Sequence, residues 1–425
     1  MTRDVELRID GIAAGGAGVG RDEGGRAVFV HRTATGELVT ARVVAEKKRW
    51  ARASLQHVLE PSPERREAPC RFYARCGGCT LEHLSYEAQL SAKAGIVAAA
   101  LTRIGGLTVT EPDVVASPRQ LRYRNRVSFT LVRLRDGSVR AGFHELQRPD
   151  RVIDIDEACL MPEETVAHAW GGIRRAWGRG AARLPSGDRL RLTLRGTAGG
   201  RTSLLVQGGY SEGRPGELIE RVESLDAIWH QPRADEPPIL LAGMPEVTES
   251  WHGEDVQLGG ALFLQVNREA AALLEDHVVE LAGDVEDQIV VDAYCGVGLH
   301  ARRFARAGAR VYGIELDPHA VSEARRAVHS ASFTAARVED ALPDMLPASL
   351  VILNPPRAGV DERALAALVE TRPSRIIYIS CDPATLARDL QRLTPAFDVR
   401  SVRCFDLFPQ TAHVETVVEM TCSTM

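Results

Sequence analysis

Cys381 is the residue of this sequence whose position is most typical of a chemical role. It stands in Ile379-Ser380-Cys381-Asp382-Pro383, where the apolar stretch 375–380 predicts a strand and the residues from Pro383 onward predict a helix. A cysteine at such a junction reaches the crevice above a sheet, and its thiolate is a strong nucleophile. A lone cysteine is more often a small buried hydrophobic residue, so the interpretation depends on its neighbours.

Other polar residues follow predicted strands in the same third of the chain. The predicted strands are Ile289–Val291, Val311–Ile314, Leu350–Leu353 and Ile376–Ser380, with Val399–Phe405 and Val414–Met420 completing the sheet. Helical stretches lie between the first four, and this alternation predicts a doubly wound α/β domain of the Rossmann type. Ligands of such domains bind beyond the carboxyl ends of the strands, where Asp292, Glu315, Asp340 and Asn354 fall.

A glycine-rich loop, Asp292-Ala-Tyr-Cys-Gly-Val-Gly298, follows the first of these strands. It has neither the lysine of a phosphate-binding P-loop nor the third glycine of a dinucleotide-binding loop. Gly296 and Gly298 let bare backbone approach a cofactor, and Tyr294 lies between them and Asp292. An acidic residue in such a loop suits the cationic methionine end of S-adenosylmethionine better than a pyrophosphate. Glu315 is placed to accept hydrogen bonds from ribose hydroxyls.

Four further cysteines are spaced like metal ligands. They form the pattern Cys70-x5-Cys76-x2-Cys79, with Cys159 about eighty residues on. The first residues of the chain lack the apolar core of a signal peptide, so we expect a cytoplasmic protein, where cysteines are more often ligands or catalysts than disulfides. Zinc is the general default for four thiolates.

Length and composition predict a multidomain protein without a membrane span. At 425 residues, 44% hydrophobic and 26% charged, the chain is long enough for two or three domains. No apolar run approaches the roughly 18 residues that span a bilayer. The net charge of −5 argues against indiscriminate nucleic-acid binding, but residues 171–201 hold eight arginines and one acidic residue. That segment predicts a local phosphate-facing surface, and a solvated arginine-rich face explains it equally well.

The segments before the α/β domain are predicted to form two further domains. Residues 1–60 alternate as short strands punctuated by glycines, which predicts an OB-like β-barrel with a basic, aromatic edge suited to RNA. Residues 61–255 predict a β-rich central domain that carries the cysteine cluster and an RNA-binding surface. Its amphipathic helix near 85–104 can pack on the catalytic domain, which spans 256–425. The glycines of 15–20 do not predict a dinucleotide loop, because no buried strand precedes them and no helix follows.

Together these motifs closely resemble the RNA 5-methyluridine methyltransferases, in particular the ribosomal-RNA branch, along essentially the whole chain. In that family a cysteine of a Ser-Cys-x-Pro motif attacks C6 of uracil, which implies this role for Cys381. A glutamate in Phe-Pro-x-Thr-x-His-Val-Glu then removes the C5 proton, which implies this role for Glu415 in the segment 408–415. The family's Phe-Leu-Gln-Val-Asn motif matches 263–267 and implies that Gln265 lies near cofactor and base.

The resemblance also implies cofactors and partners. S-adenosylmethionine is the implied methyl donor, and its implied binding residues are Gln265, Asp292, Tyr294, Gly296, Gly298, Glu315, Asp340 and Asn354. The implied group on Cys70, Cys76, Cys79 and Cys159 is a [4Fe–4S] cluster rather than zinc, and the N-terminal barrel is a TRAM domain. The implied substrate is 23S rRNA, with tRNA as the alternative, for a monomeric cytoplasmic enzyme without a membrane partner.

Two departures and two rival interpretations stand beside this resemblance. Asn354 replaces the family's usual aspartate and Asp382 its usual asparagine, although asparagine can still donate to uracil O4 and accept from N3–H. Asn-Pro-Pro also begins a loop of enzymes that methylate exocyclic amino groups. Those enzymes continue with an aromatic residue where this chain has Arg357, and they need no pair such as Cys381 and Glu415. A non-catalytic RNA-binding factor would not need that pair either.

Overall fold

The chain is divided between two structural units in a computed structural model that describes residues 3–259 and 262–423. The first unit comprises Met1–Glu67, His83–Pro118 and Glu269–Met425, and the second comprises Ala68–Glu82 and Arg119–Arg268. Residues 83–118, predicted as part of the central domain, thus lie in the first unit. The division into three domains at residues 60 and 255 stays a prediction.

A closed five-stranded barrel begins the first unit, as predicted. Its strands are β1 (Asp4–Ile12), β2 (Ala17–Arg21), β3 (Ala27–His31), β4 (Leu38–Glu46) and β5 (Trp50–Glu60), in the order β1-β2-β3-β5-β4. Val5, Leu7 and Ile9 point into the barrel while the residues between them are exposed, which is the period-two pattern of a half-buried strand. A Cβ on Gly20 would lie 2.2 Å from the carbonyl oxygen of Arg8. That glycine therefore allows two strands to approach and is not part of a cofactor loop.

A helix and a short strand follow the barrel in the first unit. They are α1 (Tyr86–Arg103) and β6 (Val114–Val115). The Ser85 hydroxyl caps α1 by accepting a hydrogen bond from the backbone N–H of Ala88 at 3.2 Å. Among the described residues, no helix combines the length and the apolar character needed to cross a lipid bilayer.

The second unit is built on a six-stranded sheet, which agrees with the predicted β-rich segment. Its strands and helices are β7 (Arg126–Arg133), β8 (Val139–Gly142), α2 (Glu164–Ala176), β9 (Arg189–Gly196), β10 (Thr202–Gln207), α3 (Pro215–Arg221), β11 (Leu225–Gln231), β12 (Ile239–Gly243), β13 (Val247–Trp251) and β14 (Glu254–Leu258). The sheet order is β12-β11-β10-β9-β7-β8, and β13 and β14 form a separate hairpin. Trp170 of α2 is fully buried and stacks on Phe129 with 4.3 Å between ring centroids, which packs the helix on the sheet.

The α/β part of the first unit contains the remaining elements. They are α4 (Arg268–Ala282), β15 (Ile289–Ala293), α5 (Leu299–Arg306), β16 (Arg310–Glu315), α6 (Pro318–Ala327), β17 (Ser332–Ala335), α7 (Val338–Ala341), β18 (Leu350–Leu353), α8 (Glu362–Thr371), β19 (Arg375–Ser380), α9 (Pro383–Leu393), β20 (Phe397–Phe405) and β21 (Glu415–Cys422). All four residues of β18 are buried, because helices cover both faces of a parallel sheet. The predicted doubly wound domain is confirmed.

The order of the strands defines where a ligand can bind. The sheet runs β17-β16-β15-β18-β19-β21-β20-β6, with β15 to β19 parallel and β21 antiparallel to both of its neighbours. The chain winds outward in one direction from β15 and in the other from β18, so the crevice beyond their carboxyl ends is the topological switch point. The two-residue strand β6 at the sheet edge was not predicted, because two apolar residues carry no periodic signal.

Candidate active site

Cys381 lies at the carboxyl end of β19, one residue beyond a strand that is buried almost throughout. The last register pair of β19 and β21 joins Ser380 to Thr416, so the next residues, Cys381 and Glu415, are neighbours across the two strands. Asp382 caps α9 by accepting hydrogen bonds from the backbone N–H groups of Ala384 and Thr385, each at 3.0 Å. The half-buried thiol therefore stands at a helix N-terminus, whose dipole favours an anion.

Glu415 is a buried carboxyl group beside this thiol. Its residue is 4% exposed at the first position of β21. Burial raises the pKa of Glu415 to about 8, although the charge of Arg357 acts in the opposite direction. Burial and the Glu415 carboxylate also raise the pKa of the Cys381 thiol. A thiol and a buried acid with a pKa near 8 are thus adjacent, and such perturbed groups are typical of catalytic sites.

Arg357 is the functional residue that the sequence did not assign. Its guanidinium hydrogen-bonds the Cys381 side chain and lowers the pKa of that thiol against the effect of burial. The loop that carries Arg357 is fixed to α9, because the Asp389 carboxylate accepts a hydrogen bond from the Val360 N–H at 2.9 Å and Arg388 donates to the Ala358 carbonyl at 2.8 Å. The only signal in the sequence was the arginine after Asn-Pro-Pro.

The predicted cofactor loop follows β15 and is closed by Glu315 at the end of β16. The Glu315 carboxylate accepts hydrogen bonds from the backbone N–H groups of Gly296 at 3.0 Å and Leu316 at 2.7 Å. A Cβ on Gly296, where φ is 55°, would meet no atom within 4 Å, so this backbone faces open space. Gly298, with φ of 79°, begins α5 and packs closely against the next helix and strand. The loop therefore has the form of a cradle for a ligand.

Asp292 is the buried acid of that loop. One carboxylate oxygen accepts a hydrogen bond from the Ala301 N–H at 3.1 Å. Among the described residues the other oxygen, Oδ1, has no hydrogen-bond partner, although it is shielded from water. Burial raises the pKa of Asp292 to about 6. A buried acceptor without a partner costs about 1–3 kcal/mol, so the site is suited to a ligand that donates hydrogen bonds or carries positive charge.

The remaining predicted residues of the first unit differ in their environment. Tyr294 adopts the left-handed conformation with φ of 65°, and its hydroxyl accepts a hydrogen bond from the Asp361 backbone N–H. Asn354 follows β18, half-buried, and its N–H bonds the Ala293 carbonyl at 3.3 Å. Asp340 lies in α7, where its exposed carboxylate pairs with Arg363 at 3.0 Å. The Asp340 carboxylate thus already has a cationic partner.

The segment that leads into Glu415 is held by α1. Lys93 is fully buried, and its ammonium group forms an ion pair with the equally buried Asp406 and donates to the Phe408 carbonyl at 3.1 Å. Gln89 accepts a hydrogen bond from the Gln410 N–H at 2.9 Å and donates to the Gln410 side chain at 3.0 Å. The helix thereby fixes the loop between β20 and β21. In the sequence, the signal for this pair was a lysine on the apolar face of a predicted amphipathic helix, because a buried lysine usually has an acidic partner.

We expect Lys93→Met to lower the free energy of unfolding by about 3–5 kcal/mol, because it leaves the Asp406 carboxylate buried without its counter-charge. Chemical denaturation of the purified variant measures this loss. The double variant Lys93→Met/Asp406→Leu removes both charges and should recover part of the stability. A loss below about 1 kcal/mol in the single variant would contradict a buried ion pair at this place.

Gln265 lies in the second unit, near its C-terminal end. Its backbone carbonyl accepts a hydrogen bond from the Asn125 side chain at 3.0 Å, and the Val266 carbonyl accepts one from the Asn125 N–H at 2.9 Å. The segment 265–266 is therefore held to Asn125, the residue just before β7. The role of the Gln265 side chain near cofactor and base stays a prediction.

The four cysteines of the predicted metal site line one cavity in the second unit. The cavity wall includes Cys70, Cys76, Cys79 and Cys159. All eight cysteines of the chain are free thiols. Within residues 3–259 and 262–423, no group of three or more histidine, cysteine, aspartate or glutamate side chains has the arrangement of a metal-ion site. The fold thus brings the four thiols to the wall of one cavity.

The surroundings of these thiols are those of sulfur ligands. The Gly78 N–H donates to the Cys76 sulfur at 3.3 Å, Phe72 and Tyr73 donate backbone hydrogen bonds to Cys70, and Met161 does so to Cys159. Such bonds stabilise and tune thiolates in iron–sulfur proteins. Burial raises the pKa of Cys159 to about 12 and that of Cys79 well above its usual range.

The chain is similar to known proteins both in sequence and in structure. A family model described as tRNA (Uracil-5-)-methyltransferase matches residues 257–422. An uncharacterized RNA methyltransferase of Halalkalibacterium halodurans is 33% identical over 97% of this chain and 96% of its own length. One of Synechocystis is 32% identical over 97% and 95%. The crystal structure of Pyrococcus abyssi tRNA (uracil-54, C5)-methyltransferase in complex with S-adenosyl-L-homocysteine has a TM-score of 0.77 and 26% identity, covering 98% of this chain and 99% of the other.

Proposed function

The chain belongs to the RNA (uracil-5-)-methyltransferase family and is an RNA methyltransferase, and we propose that it methylates carbon 5 of a uridine in RNA through a covalent intermediate on Cys381. The observation that carries this proposal is the convergence of Cys381, Arg357 and Glu415 beyond the carboxyl end of β19. A thiol, a cation that favours its thiolate and a base near neutral pKa are the groups that the reaction requires.

The first step is the addition of Cys381 to the base. Carbon 5 of uracil is too weak a nucleophile to attack a sulfonium methyl group until a nucleophile adds to C6. The Cys381 thiolate forms a bond to C6, and the electron pair of the C5–C6 double bond moves into the enolate at C5 and O4. Arg357 and the N-terminus of α9 favour the thiolate form, which would otherwise be scarce because burial raises the pKa of this thiol.

The second step resolves the adduct through Glu415. When bound, S-adenosylmethionine would supply an electrophilic methyl group to C5, and its S–CH₃ bond would break to leave S-adenosylhomocysteine. C5 then carries both the methyl group and its original proton. The Glu415 carboxylate takes that proton, the C5–C6 double bond re-forms, and Cys381 leaves as the thiolate. The raised pKa of Glu415, about 8, suits a base that must accept a carbon-bound proton and release it to solvent afterwards.

The residues of the β15 and β16 loops would hold the methyl donor. The buried Asp292 oxygen without a partner fits the cationic amino-acid end of S-adenosylmethionine, and the open backbone at Gly296 allows close approach. Glu315 keeps a lone pair on Oε2, which accepts from the Gly296 N–H, for a ribose hydroxyl, whereas Oε1 already accepts from the N–H groups of Leu316 and Asp317. We propose supporting roles for Tyr294 and Gly298 in the shape of the loop, for Asn354 at the end of β18, and for Asp340 and Gln265 as predicted.

The methylation of an exocyclic amino group is the rival reaction that the Asn-Pro-Pro loop suggests. Such a reaction needs no nucleophile, and it gives no reason for a thiol hydrogen-bonded to Arg357 beside a buried base. We therefore assign Asn354 to uracil, where its amide can pair with O4 and N3–H.

For the substrate we propose 23S rRNA, which the barrel and the cysteine cluster suggest, and a cytoplasmic enzyme that acts as a monomer. A tRNA is the second candidate, since the similar Pyrococcus abyssi structure is that of a tRNA (uracil-54, C5)-methyltransferase. The test is to incubate the purified protein with labelled S-adenosylmethionine and transcripts of 23S rRNA and tRNA, and to identify 5-methyluridine after digestion. Methylation of another base, or of no RNA, would refute the proposed function. Mapping 5-methyluridine in RNA from a deletion strain identifies the nucleotide.

We expect the single-turnover rate to rise with pH up to about 8 or above. Cys381 and Glu415 both act in their deprotonated forms, and burial raises the pKa of each. Below pH 8 the fraction of enzyme in which the limiting group is deprotonated therefore falls by about tenfold for each unit by which the pH decreases. Quench-flow measurements between pH 6 and 9, with RNA and S-adenosylmethionine both saturating, give the profile. A rate that is flat from pH 6 to 8 would contradict these roles.

For the four cysteines we propose a [4Fe–4S] cluster. The support is that all four thiols line one cavity and that backbone N–H groups face the sulfurs of Cys70, Cys76 and Cys159. The role of the cluster here is to hold Cys70 and Cys159, which are distant in sequence, in one unit.

Protein purified without oxygen should be brown and contain about four iron atoms and four sulfides per chain. Cys79→Ser should lose most of this iron, whereas Cys422→Ser, which changes a half-buried thiol in β21, should keep it. Iron and zinc analysis of the unaltered protein decides the identity even if the Cys79 variant does not fold. A colourless protein with one zinc ion per chain would contradict the cluster and indicate a zinc site instead.

A further inference from the structure

A wide cleft in the second unit has four arginines in its wall. Its wall includes Arg71, Arg75, Arg140 and Arg151, with Phe72 at one side. The cleft has a volume of about 620 Å³ and opens to solvent. This lies within the usual range of ligand pockets, about 300–1,000 Å³, so the cleft has room for a segment of a larger ligand.

Two of the four arginines, Arg140 and Arg151, form no ion pair among the described residues. The pKa of Asp136 is nevertheless lowered, by a hydrogen bond from the Ser138 hydroxyl and by the charge of Arg140. Arg71 pairs with Asp156, and Arg75 lies 3.5 Å from Glu145. In the part of the chain that the structure describes, neither Arg140 nor Arg151 forms an ion pair or a side-chain hydrogen bond, and both are exposed.

The acid in the cleft wall does not compensate for these two cations. The Asp154 carboxylate is engaged by the Arg174 guanidinium at 2.7 Å and 2.9 Å. The cleft therefore keeps an excess of positive charge on guanidinium groups, whose planar fork matches the oxygens of a phosphate.

The walls of the cleft are held in place by backbone bonds. The N–H of Leu146 donates to the Arg75 carbonyl at 2.9 Å, and the N–H of Gly77 donates to the His144 carbonyl at 2.9 Å. These bonds tie the cysteine-bearing loop 70–79 to the segment that follows β8. Phe72 lines both the cysteine cavity and the cleft, and the Arg71 guanidinium lies 4.8 Å from its ring centroid.

From these contacts we propose that the cleft binds the phosphate backbone of the RNA substrate. The inference rests on the proposed function, because it takes RNA as the anionic partner. Arg140 and Arg151 contact phosphates, and Phe72 offers an aromatic surface on which an unpaired base stacks. The loop that carries three of the four cysteines thus forms one wall of an RNA site, which gives the cysteine cavity a role in binding rather than in methyl transfer.

The test compares two double variants of the full-length protein. Arg140→Ala/Arg151→Ala removes the two unpaired cations of the cleft. Arg135→Ala/Arg221→Ala removes two exposed arginines of the same unit that do not line it, and is the matched control. Fluorescently labelled transcripts of 23S rRNA and tRNA serve as probes. Binding is measured over a range of salt concentrations, and methyl transfer is measured at saturating RNA.

We expect the cleft variant to bind the substrate transcript about 10- to 100-fold more weakly, and the slope of log affinity against log salt to decrease by about 1 to 2. Its turnover at saturating RNA and its affinity for S-adenosylmethionine should match those of the unaltered protein, as should its circular dichroism. Affinity and salt slope equal to those of the control would overturn the proposal. Failure of the proposed function is a separate result, in which the unaltered protein forms no 5-methyluridine on either transcript.

Discussion

Replacement of Cys381 by alanine is expected to reduce methyl transfer by on the order of 10⁴-fold or more, to below detection in an ordinary assay. The reason is chemical: without a nucleophile at C6, C5 of uracil has too little electron density to attack a methyl sulfonium. The thiol is half-buried at the end of a strand, so alanine removes it without opening a large cavity in the core. Labelled methyl groups transferred to RNA in single-turnover experiments measure the effect.

The matched control is Cys422→Ala, which removes another half-buried thiol from the same sheet. It should keep turnover within a factor of about two of the unaltered protein. Binding of S-adenosylmethionine by Cys381→Ala, measured by calorimetry, should be unchanged, since the proposed donor site lies in the β15 and β16 loops. Turnover by Cys381→Ala within tenfold of the unaltered protein would rule out the covalent mechanism.

Glu415→Gln is expected to accumulate a covalent protein–RNA adduct that survives denaturing electrophoresis. Glutamine has the shape of glutamate but cannot accept the C5 proton, so addition and methylation proceed while elimination stops. The adduct should contain the labelled methyl group and should disappear in the double variant Cys381→Ala/Glu415→Gln. Mass spectrometry of the digested adduct should place the RNA on the peptide that contains Cys381.

The control for this variant is Glu419→Gln, which makes the same change of charge four residues on in β21, at a half-buried position. It should turn over normally and leave no adduct. A Glu415→Gln protein that releases 5-methyluridine at the normal rate would contradict the assignment of the base.

Stability provides an independent readout of the Glu415 environment. The folded protein raises the pKa of Glu415 from 4.5 to about 8. A group whose pKa is raised on folding contributes its full stability at pH values below its pKa in the unfolded chain. That contribution is lost as the pH rises through its pKa in the folded protein. Between pH 4.5 and 8, deprotonation of Glu415 therefore progressively lowers the free energy of unfolding. Glu415→Gln should therefore increase the free energy of unfolding at pH 8 by about 1–4 kcal/mol, while Glu419→Gln should not.

Patterns along the chain were sufficient for the architecture of the catalytic part. Strands of period two and buried apolar runs separated by helices predicted β15, β16, β18 and β19, and the two closing strands followed. Because ligands of such sheets bind beyond the carboxyl ends of the strands, the positions of Asp292 and Cys381 followed from the same pattern. These signals depend only on neighbouring residues along the chain, so one sequence is enough to read them.

The catalytic environment depended on contacts between segments far apart in the chain. Arg357 reaches Cys381 because its loop is tied to α9, and no spacing in the sequence predicts that bond. Lys93 precedes Asp406 by more than three hundred residues, yet the pair fixes the segment before Glu415. Only packing reveals such pairs, because they form when distant elements exclude water from the same place.

By itself, then, the sequence determined the class of fold, the cysteine at a strand end that we propose as the nucleophile, and the four cysteines that line one cavity. The tertiary structure alone decided the surroundings of Cys381, the pKa of Glu415 and the assignment of residues 83–118 to the first unit. The physical reason is that nucleophilicity and basicity depend on desolvation and on nearby charge. Both are properties of three-dimensional packing, whereas periodicity and motif spacing report only what each segment does along its own length.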